Sequence, residues 1–304
     1  MGRGRDIDTM TDRADFRWAF AGCKPQSVGI LSALGQDGFV PDFCAVPPDL
    51  TDADDAEMRS VAAHFSVPVY QSHRLEEFER RLAALDLLLV CRFALLPPAI
   101  FNAPRLGAVN VHSSLLPRYR GVHPVSWALI NGETETGVTL HRIGEGADTG
   151  PILFQSPVAI DDSDDLWSLT AKLNAVSASS VLHLFNGIAA TGDLPAARPQ
   201  AGRPSMAPRR TPDDSRIDWA GAAHTISNLV RALPVPLPAA FCFAQDGRRV
   251  EIRSARLCAP CESLGVPGQV VWGDADGVAR VLCGDGRCLD VIADHSLAAG
   301  DVLT

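Results

Sequence analysis

The chain of 304 residues contains only two lysines, Lys24 and Lys172, and no apolar run approaching the ~20 residues that cross a bilayer. Its N-terminal stretch, MGRGRDIDTMTDRADFRW, lacks the hydrophobic segment of a secretory signal. We interpret residues 1–15 as a disordered lead-in, with Met10 as an alternative start. These absences argue against a membrane partner and predict a cytoplasmic protein.

Basic charge is also scarce. The formal net charge is −9, and the segment VPPDLTDADDAE is acidic. From Arg203 to the C-terminus, 11 arginines and no lysine face 12 acidic residues. Because nucleic-acid binding depends on phosphate neutralisation by basic patches, we expect no nucleic-acid partner.

Two motifs of common enzyme classes are missing. The first predicted strand ends in Gly22-Cys23-Lys24-Pro25 without a GxGxxG pattern, so a dinucleotide cofactor is not expected. No GxSxG elbow is present, which argues against covalent catalysis by Ser114.

The eight cysteines permit three interpretations. Cys258 and Cys261 form a CxxC pair, and Cys283 and Cys288 lie further on, so four thiolates are available for zinc. The second pair is spaced too widely for a clean ligand pattern, and Cys288 lies in an alternating strand. We favour free, buried thiols over a zinc site or a disulfide, and expect no metal.

Strand and helix patterns alternate through the N-terminal half, which predicts a Rossmann-like, doubly wound, mostly parallel sheet. The continuous apolar run DLLLVC is typical of a strand that is covered on both faces. The predicted strands are Phe16–Ala21, Val40–Val46, Val67–Tyr70, Asp86–Cys91, Gly107–His112 and Thr136–Ile143. The predicted helices are Ser27–Leu34, Asp54–His64 and Leu75–Ala84.

The C-terminal half begins with a long helix from Ser163 to about Phe185. Residues 191–212 are rich in Pro, Gly and Arg without periodicity and are interpreted as a linker. A helix at Ala222–Ala232 and five short strands follow, which suggests a small β-barrel. These strands are Ala240–Ala244, Val250–Leu257, Gln269–Trp272, Ala279–Cys283 and Cys288–Ala293. The predicted domains are therefore residues 16–190 and 213–304.

The stretch from Asn110 to Gly150 carries the clearest chemistry. Asn110 and His112 stand two apart at a strand end, so their side chains share a face. A later loop, flanked by glycines, presents a lone carboxylate, Asp148. Ligands of open α/β sheets bind beyond the carboxyl ends of the strands, so we expect these three groups to converge. An amide, an imidazole and a carboxylate can hold an oxyanion and transfer a proton, as acyl transfer requires.

Three sequence blocks in this region resemble the folate-dependent formyltransferases. They are N-x-H-x-S-L-L-P-x-x-R-G, G-E-T-E-T-G-V-T-x-H-R and D-T-G-P-I. RRTPDDSRIDW (Arg209–Trp219) and NLVRALPVPLPAAF (Asn228–Phe241) look like the start of the family's second domain. The resemblance implies N10-formyltetrahydrofolate as co-substrate, an OB-like C-terminal barrel, and catalytic roles for Asn110, His112 and Asp148.

The resemblance also suggests binding residues. Cys91, Arg92, Phe93, Ala94 and Leu95 correspond to the segment that lines the pterin pocket through its backbone. Gly146 is assigned to the same cofactor side. The residues assigned to the acceptor side are Ser114, Arg118, Arg120 and His123, of which the arginines could hold a phosphate or carboxylate. His141 and Arg142 are interpreted as packing or supporting groups.

The acceptor amine is less well defined. Methionyl-tRNA formyltransferases typically carry a basic insertion and a basic C-terminal domain, and this chain has neither. We favour a small amine, first a nucleotide-linked amino sugar and second an N-hydroxyornithine used in siderophore synthesis. Methionyl-tRNA, a formyltetrahydrofolate hydrolase reaction and a non-catalytic folate-binding protein are the alternatives. A homodimer is left open.

Overall fold

The computed structural model describes residues 16–47, 51–71, 75–258, 265–274 and 277–304. The predicted lead-in with Met10, and Cys261, lie outside these residues. The chain divides into two compact units. The first comprises the residues up to Gly121, Gly137–Val158 and Ala171–Met206, and the second comprises Val122–Thr136, Ala159–Thr170 and Ala207–Thr304. The domain limits drawn from sequence stay a prediction.

A seven-stranded sheet lies at the centre of the first unit. Its strands, with the two-residue β6 included in the numbering, are β1 (Trp18–Gly22), β2 (Phe43–Val46), β3 (Val69–Gln71), β4 (Leu87–Cys91), β5 (Ala108–His112), β6 (Arg120–Gly121), β7 (Glu135–Arg142) and β8 (Ile152–Ala159). The order in the sheet is β3-β2-β1-β4-β5-β7-β8, and β6 pairs separately with β9 (Met206–Ala207). The first five strands pair in parallel, whereas β5 and β7 are antiparallel. The predicted mostly parallel sheet is confirmed.

Seven α-helices and two 3₁₀-helices are present among the described residues. The α-helices are α1 (Lys24–Gln36), α2 (Asp52–His64), α3 (Glu79–Leu82), α4 (Pro98–Phe101), α5 (Pro124–Ile130), α6 (Leu166–Thr191) and α7 (Ala223–Arg231). The 3₁₀-helices are Leu75–Phe78 and Pro212–Ser215. The helix predicted over Leu75–Ala84 is therefore a 3₁₀ turn followed by one α-helical turn. Helix α5 and strand β8 were not predicted.

Helix α6 begins later than its sequence suggested. Ser163 was the expected N-terminus, but Asp165 Oδ1 accepts hydrogen bonds from the backbone N–H groups of Trp167 (2.9 Å) and Ser168 (2.8 Å). A carboxylate caps a helix as well as a hydroxyl does and also complements the helix dipole. The cap therefore lies at Asp165, two residues beyond Ser163.

Alternation along β1 explains why both faces of the sheet are covered. Trp18 packs edge-on against Phe185 of α6, with ring centroids 4.8 Å apart. Ala19 and Ala21, which point the other way, belong with Leu82 and Ile100 to a second apolar cluster. Every residue of β1 and β4 is buried. Because both faces of the sheet are covered, a ligand can reach these strands only at their ends.

The second unit contains a five-stranded antiparallel sheet. Its strands are β10 (Ala240–Phe243), β11 (Arg249–Leu257), β12 (Val270–Gly273), β13 (Val278–Leu282) and β14 (Cys288–Ala293), in the order β10-β11-β14-β13-β12. Val250, Ile252, Val281, Leu289 and Val291 form its core with the apolar face of α7. The C-terminal antiparallel sheet is confirmed, and the OB-like barrel stays a prediction.

One cysteine differs from expectation. Cys288 is disulfide-bonded, so the preference for a free thiol is wrong at this position. Six others are free: Cys23, Cys44, Cys91, Cys242, Cys258 and Cys283. Within the described ranges, no group of three or more His, Cys, Asp or Glu side chains is arranged to hold a metal ion. No described helix is both long and apolar enough to cross a membrane.

Candidate active site

Strand pairing brings two histidines and an amide together at the end of β5. Asn110 and His112 lie on β5, and the antiparallel register places Asn110 directly opposite His141 of β7. Side chains of such directly opposed residues contact each other on one face of a sheet. His112 and His141 are buried, at 6% and 2% exposure. The loop after β7 then brings Asp148 to the same place.

His112 is held in one tautomer. Its Nε2 lies 2.8 Å from the carbonyl oxygen of Tyr119, which can only accept, so Nε2 carries the proton. Nδ1 is then unprotonated in the neutral ring and lies 3.6 Å from Asp148 Oδ2. Burial lowers the pKa of His112 below 6.5, although Asp148 and the Tyr119 carbonyl act in the opposite direction. The free base, with its lone pair at Nδ1, is therefore the form present at neutral pH.

Asn110 has both amide hydrogens engaged. Nδ2 lies 3.1 Å from His141 Nε2 and 3.2 Å from Asp148 Oδ1. His141 Nδ1 lies 2.9 Å from the carbonyl oxygen of Arg142 and must donate to it, which leaves Nε2 of the neutral ring as an acceptor. The amide orientation is fixed, since its oxygen would otherwise face two acceptors. An N–H group of Asn110 can reach a formyl oxygen only by leaving one of these partners.

Asp148 is held as a carboxylate. Its Oδ2 accepts a hydrogen bond of 2.8 Å from the backbone N–H of Gly121. Burial raises the pKa of Asp148, but the neighbouring His141 and His112 rings and the Gly121 N–H together lower it to about 2. Asp148 is ionised throughout the neutral range. It faces both histidines and is the one negative charge in contact with them among the described side chains.

The loop that carries Asp148 has an unusual backbone conformation at Asp148 and makes a tight return at Gly150. Asp148 has φ of 53°, in the left-handed region that disfavours residues other than glycine. Two residues later, a Cβ on Gly150 would lie 1.7 Å from the carbonyl oxygen of Arg142. Glycine at position 150 thus lets the loop return tightly to β7. The predicted cofactor residue Gly146 lies in the same loop, where its carbonyl accepts from the Thr149 hydroxyl at 3.1 Å.

The predicted acceptor residues have different surroundings. Ser114 is completely buried and donates to the carbonyl oxygen of Arg118 at 2.7 Å, so it stabilises the loop and a direct substrate contact does not fit this placement. Arg118 is exposed, with its guanidinium 5.4 Å from the centre of the Tyr119 ring. Arg120 is half-buried and bonded to Gln200. His123 immediately precedes α5 in the second unit, where its Nδ1 accepts a hydrogen bond from the Arg210 backbone N–H at 3.3 Å.

The segment after β4 has backbone groups, rather than side-chain groups, available for hydrogen bonds to a ligand. The Cys91 side chain is completely buried, and burial raises the pKa of its thiol to about 11. Phe93, Ala94 and Leu95 make no backbone hydrogen bonds to the described residues, and Leu95 is 79% exposed. Unpaired N–H and C=O groups beside apolar side chains suit a flat heteroaromatic ring. The pterin-binding role that the resemblance implies for Cys91–Leu95 stays a prediction.

Gln26 is a site residue that the sequence analysis missed. It is 2% exposed on α1, and its Nε2 donates to the hydroxyls of Ser113 (3.1 Å) and Ser177 (2.8 Å). Its Oε1 accepts from Arg92 Nε at 3.0 Å. Gln26 therefore fixes the end of β5 and the segment after β4 against each other. No local pattern marks a glutamine on a helix for such contacts.

Two family models and one curated relative match this chain. The family described as formyl transferase matches residues 48–183, and the family described as formyl transferase, C-terminal domain, matches residues 209–299. A methionyl-tRNA formyltransferase from Thermodesulfovibrio yellowstonii is 36% identical over 234 residues, which are 74% of this chain and 75% of the relative.

Solved structures show the same fold. WlaRD, a sugar 3N-formyltransferase crystallised with dTDP and 5-N-formyl-THF, superposes with a TM-score of 0.71 at 18% identity over 93% of this chain and 99% of its own. An N-formyltransferase from Helicobacter canadensis, in complex with folinic acid and dTDP-3-aminofucose, gives 0.66 at 18% identity over 91% and 99%. At 18% sequence identity, this structural similarity establishes only that the fold is shared.

Proposed function

The chain belongs to the folate-dependent formyltransferase family, and we propose that it formylates the amine of a small molecule, with a nucleotide-linked amino sugar as the first candidate. As a member of this family it is an enzyme of formyl transfer whose donor is N10-formyltetrahydrofolate. The observation that carries the proposal is the contact network of Asn110, His112 and Asp148 at the ends of the strands.

The site can perform the transfer without a covalent enzyme intermediate. N10-formyltetrahydrofolate supplies the formyl group, and we assign the binding of its pterin to the backbone of Phe93–Leu95. His112 Nδ1, unprotonated in the neutral ring, accepts the proton that the attacking amine loses. Asp148 stabilises the resulting imidazolium from 3.6 Å. His112 then returns the proton to N10 of the leaving folate.

Asn110 and the protonated His112 hold the negative oxygen that develops on the formyl carbon. A donor aimed at such an oxyanion typically contributes on the order of 10²–10³ in rate. Asn110 supplies an N–H without titrating, once it has exchanged its bond to His141 or Asp148 for one to the oxyanion. Exchange of the bond to His141 for a bond to the oxyanion is favourable, because a negatively charged oxygen is a stronger hydrogen-bond acceptor than a neutral imidazole nitrogen.

The charge of the chain favours a small anionic amine over a transfer RNA as the acceptor. We assign Arg118 and Arg120, in the segment that follows β5, to the binding of a phosphate or carboxylate of the acceptor. The chain has a net charge of −9, and from Arg203 onward acids slightly outnumber arginines. This balance suits a small anionic amine better than a transfer RNA, whose binding requires many phosphate contacts. N-hydroxyornithine is the second small-molecule candidate, and we propose the cytoplasm as the compartment.

Methionyl-tRNA is the rival acceptor, because the relative that is 36% identical carries the name methionyl-tRNA formyltransferase. Release of tetrahydrofolate by purified protein, followed in the presence of each candidate amine, separates the possibilities. A small-amine enzyme releases tetrahydrofolate only when the amine is present and yields the N-formyl product. Release with water alone would show a hydrolase instead.

A further inference from the structure

Gln200 bonds simultaneously to the loop that carries Asp148 and to Arg120. It lies in residues 191–212, which the sequence predicted to be a linker. Its Nε2 donates to the carbonyl oxygens of Asp148 (2.7 Å) and Gly150 (2.8 Å). Its Oε1 accepts from Arg120 Nε (3.1 Å) and Nη2 (2.6 Å). A glutamine amide has two donor hydrogens and two acceptor lone pairs, so every hydrogen-bonding position is used.

The orientation of this amide is unambiguous. Backbone carbonyls can only accept and a guanidinium can only donate, so the nitrogen must face the Asp148 loop and the oxygen must face Arg120. A two-residue contact places Gln200 there: the backbones of Ile152 and Arg198 exchange hydrogen bonds of 2.7 and 2.8 Å. The position is therefore fixed by backbone pairing rather than by the side chain itself.

The Asp148 loop needs such support. Asp148 has φ of 53°, and its backbone carbonyl accepts the hydrogen bond from the Gln200 side chain. A residue other than glycine in this region returns readily to a commoner conformation unless other contacts hold it. Gln200 holds the backbone of Asp148 from one side, while the Gly121 N–H holds its carboxylate from the other at 2.8 Å.

We propose that Gln200 is a positioning residue that links Asp148, the carboxylate beside the proton-transferring His112, to Arg120, the proposed acceptor-binding arginine. The proposal rests on the proposed function and deepens it. Donation to the carbonyls of Asp148 and Gly150 keeps the carboxylate beside His112. Acceptance from Arg120 orients the guanidinium so that its remaining N–H groups can meet an anionic group of the acceptor. One side chain thereby couples acceptor binding to proton transfer.

Two substitutions separate the two halves of this link. Gln200→Ala removes all four bonds, and we expect kcat/KM for the acceptor to fall on the order of 10–100-fold, with kcat lowered and KM raised. Gln200→Glu keeps an acceptor for Arg120 but places a carboxylate against two carbonyls. It should therefore lower kcat while KM stays within about threefold of wild type. Gln36→Ala, which removes an exposed glutamine bonded to Ser32 on α1, is the matched control.

Backbone hydrogen exchange provides a readout that needs no substrate. Amides of residues 144–150 should exchange faster in full-length Gln200→Ala than in wild type, while those of Trp18–Gly22 should not change. Exchange and kcat of Gln200→Ala both matching wild type would overturn the proposal, and so would equal acceleration in both segments, which indicates general destabilisation. If wild type formylates no amine, the proposed function fails, but the exchange comparison still decides whether Gln200 holds the loop.

Discussion

Replacing Asp148 by Asn is the sharpest perturbation of the proposed proton path. Asp148 Oδ2 accepts from the Gly121 N–H at 2.8 Å and Oδ1 accepts from Asn110 Nδ2 at 3.2 Å. An amide has one acceptor oxygen, so either orientation turns an NH₂ group toward a donor and loses one of these bonds. The substitution also removes the negative charge beside His112 while keeping nearly the same shape.

The charge sets the expected magnitude. In the reaction His112 becomes an imidazolium whose Nδ1 lies 3.6 Å from Asp148 Oδ2. At an effective dielectric constant of about 20, unit charges at this distance attract by about 4–5 kcal/mol. Each 1.36 kcal/mol corresponds to tenfold in rate. Since the amide dipole and water replace part of this attraction, we expect kcat to fall on the order of 10³-fold.

The assay follows tetrahydrofolate release at saturating acceptor and N10-formyltetrahydrofolate. Asp193→Asn is the matched control, because Asp193 is exposed in the same unit and its carboxylate accepts a hydrogen bond from the neighbouring Leu194 N–H at 2.8 Å. Thermal melting and binding of 5-formyltetrahydrofolate show whether the variant is folded. A folded Asp148→Asn enzyme with kcat within tenfold of wild type would refute the proposed role of the carboxylate.

Three further predictions concern the same site. His112→Ala should lower kcat by roughly 10²–10⁴-fold and Asn110→Ala by roughly 10²–10³-fold. Decreases below tenfold for both variants would contradict the proposed mechanism. His112 should titrate below 6.5 in the free enzyme when followed by NMR of its ring nitrogens, because burial disfavours the cation. Since its pKa is depressed, the neutral base persists as pH falls to 6.5, and a measured value above 6.5 would show that the attraction of Asp148 outweighs the effect of burial on the pKa of His112. Activity should survive exhaustive chelation, and activity that is lost with EDTA and restored by zinc would overturn the metal-free assignment.

Local sequence patterns predict the strands and helices whose residue types follow from burial in the core. The run LLLVC of β4 is buried throughout and could be identified as a covered strand. Asn110 and His112 were found because alternation along a strand is a local property. Their neighbour His141 was assigned only a supporting role, since its contact with Asn110 depends on strand register, which no local pattern fixes.

Elements held by distant or competing contacts were harder to predict. Gln200 lies 52 residues beyond Asp148, in a segment without periodicity, and its position depends on the pairing of Ile152 with Arg198. The α6 start was misplaced because Ser163 and Asp165 both favour a helix cap, and only the backbone geometry chooses between them. Covalent pairing of Cys288 likewise depends on spatial proximity.

Acceptor choice decides among the proposed functions. Purified protein and N10-formyltetrahydrofolate are incubated separately with a nucleotide-linked 4-amino sugar, N-hydroxyornithine, methionyl-tRNA and no amine, and both tetrahydrofolate and the formylated product are quantified. We predict equimolar tetrahydrofolate and N-formyl product with the nucleotide-linked amino sugar, and an Arg120→Ala variant whose KM rises more than its kcat falls. Ready formylation of methionyl-tRNA, with neither small amine formylated, would contradict the assignment.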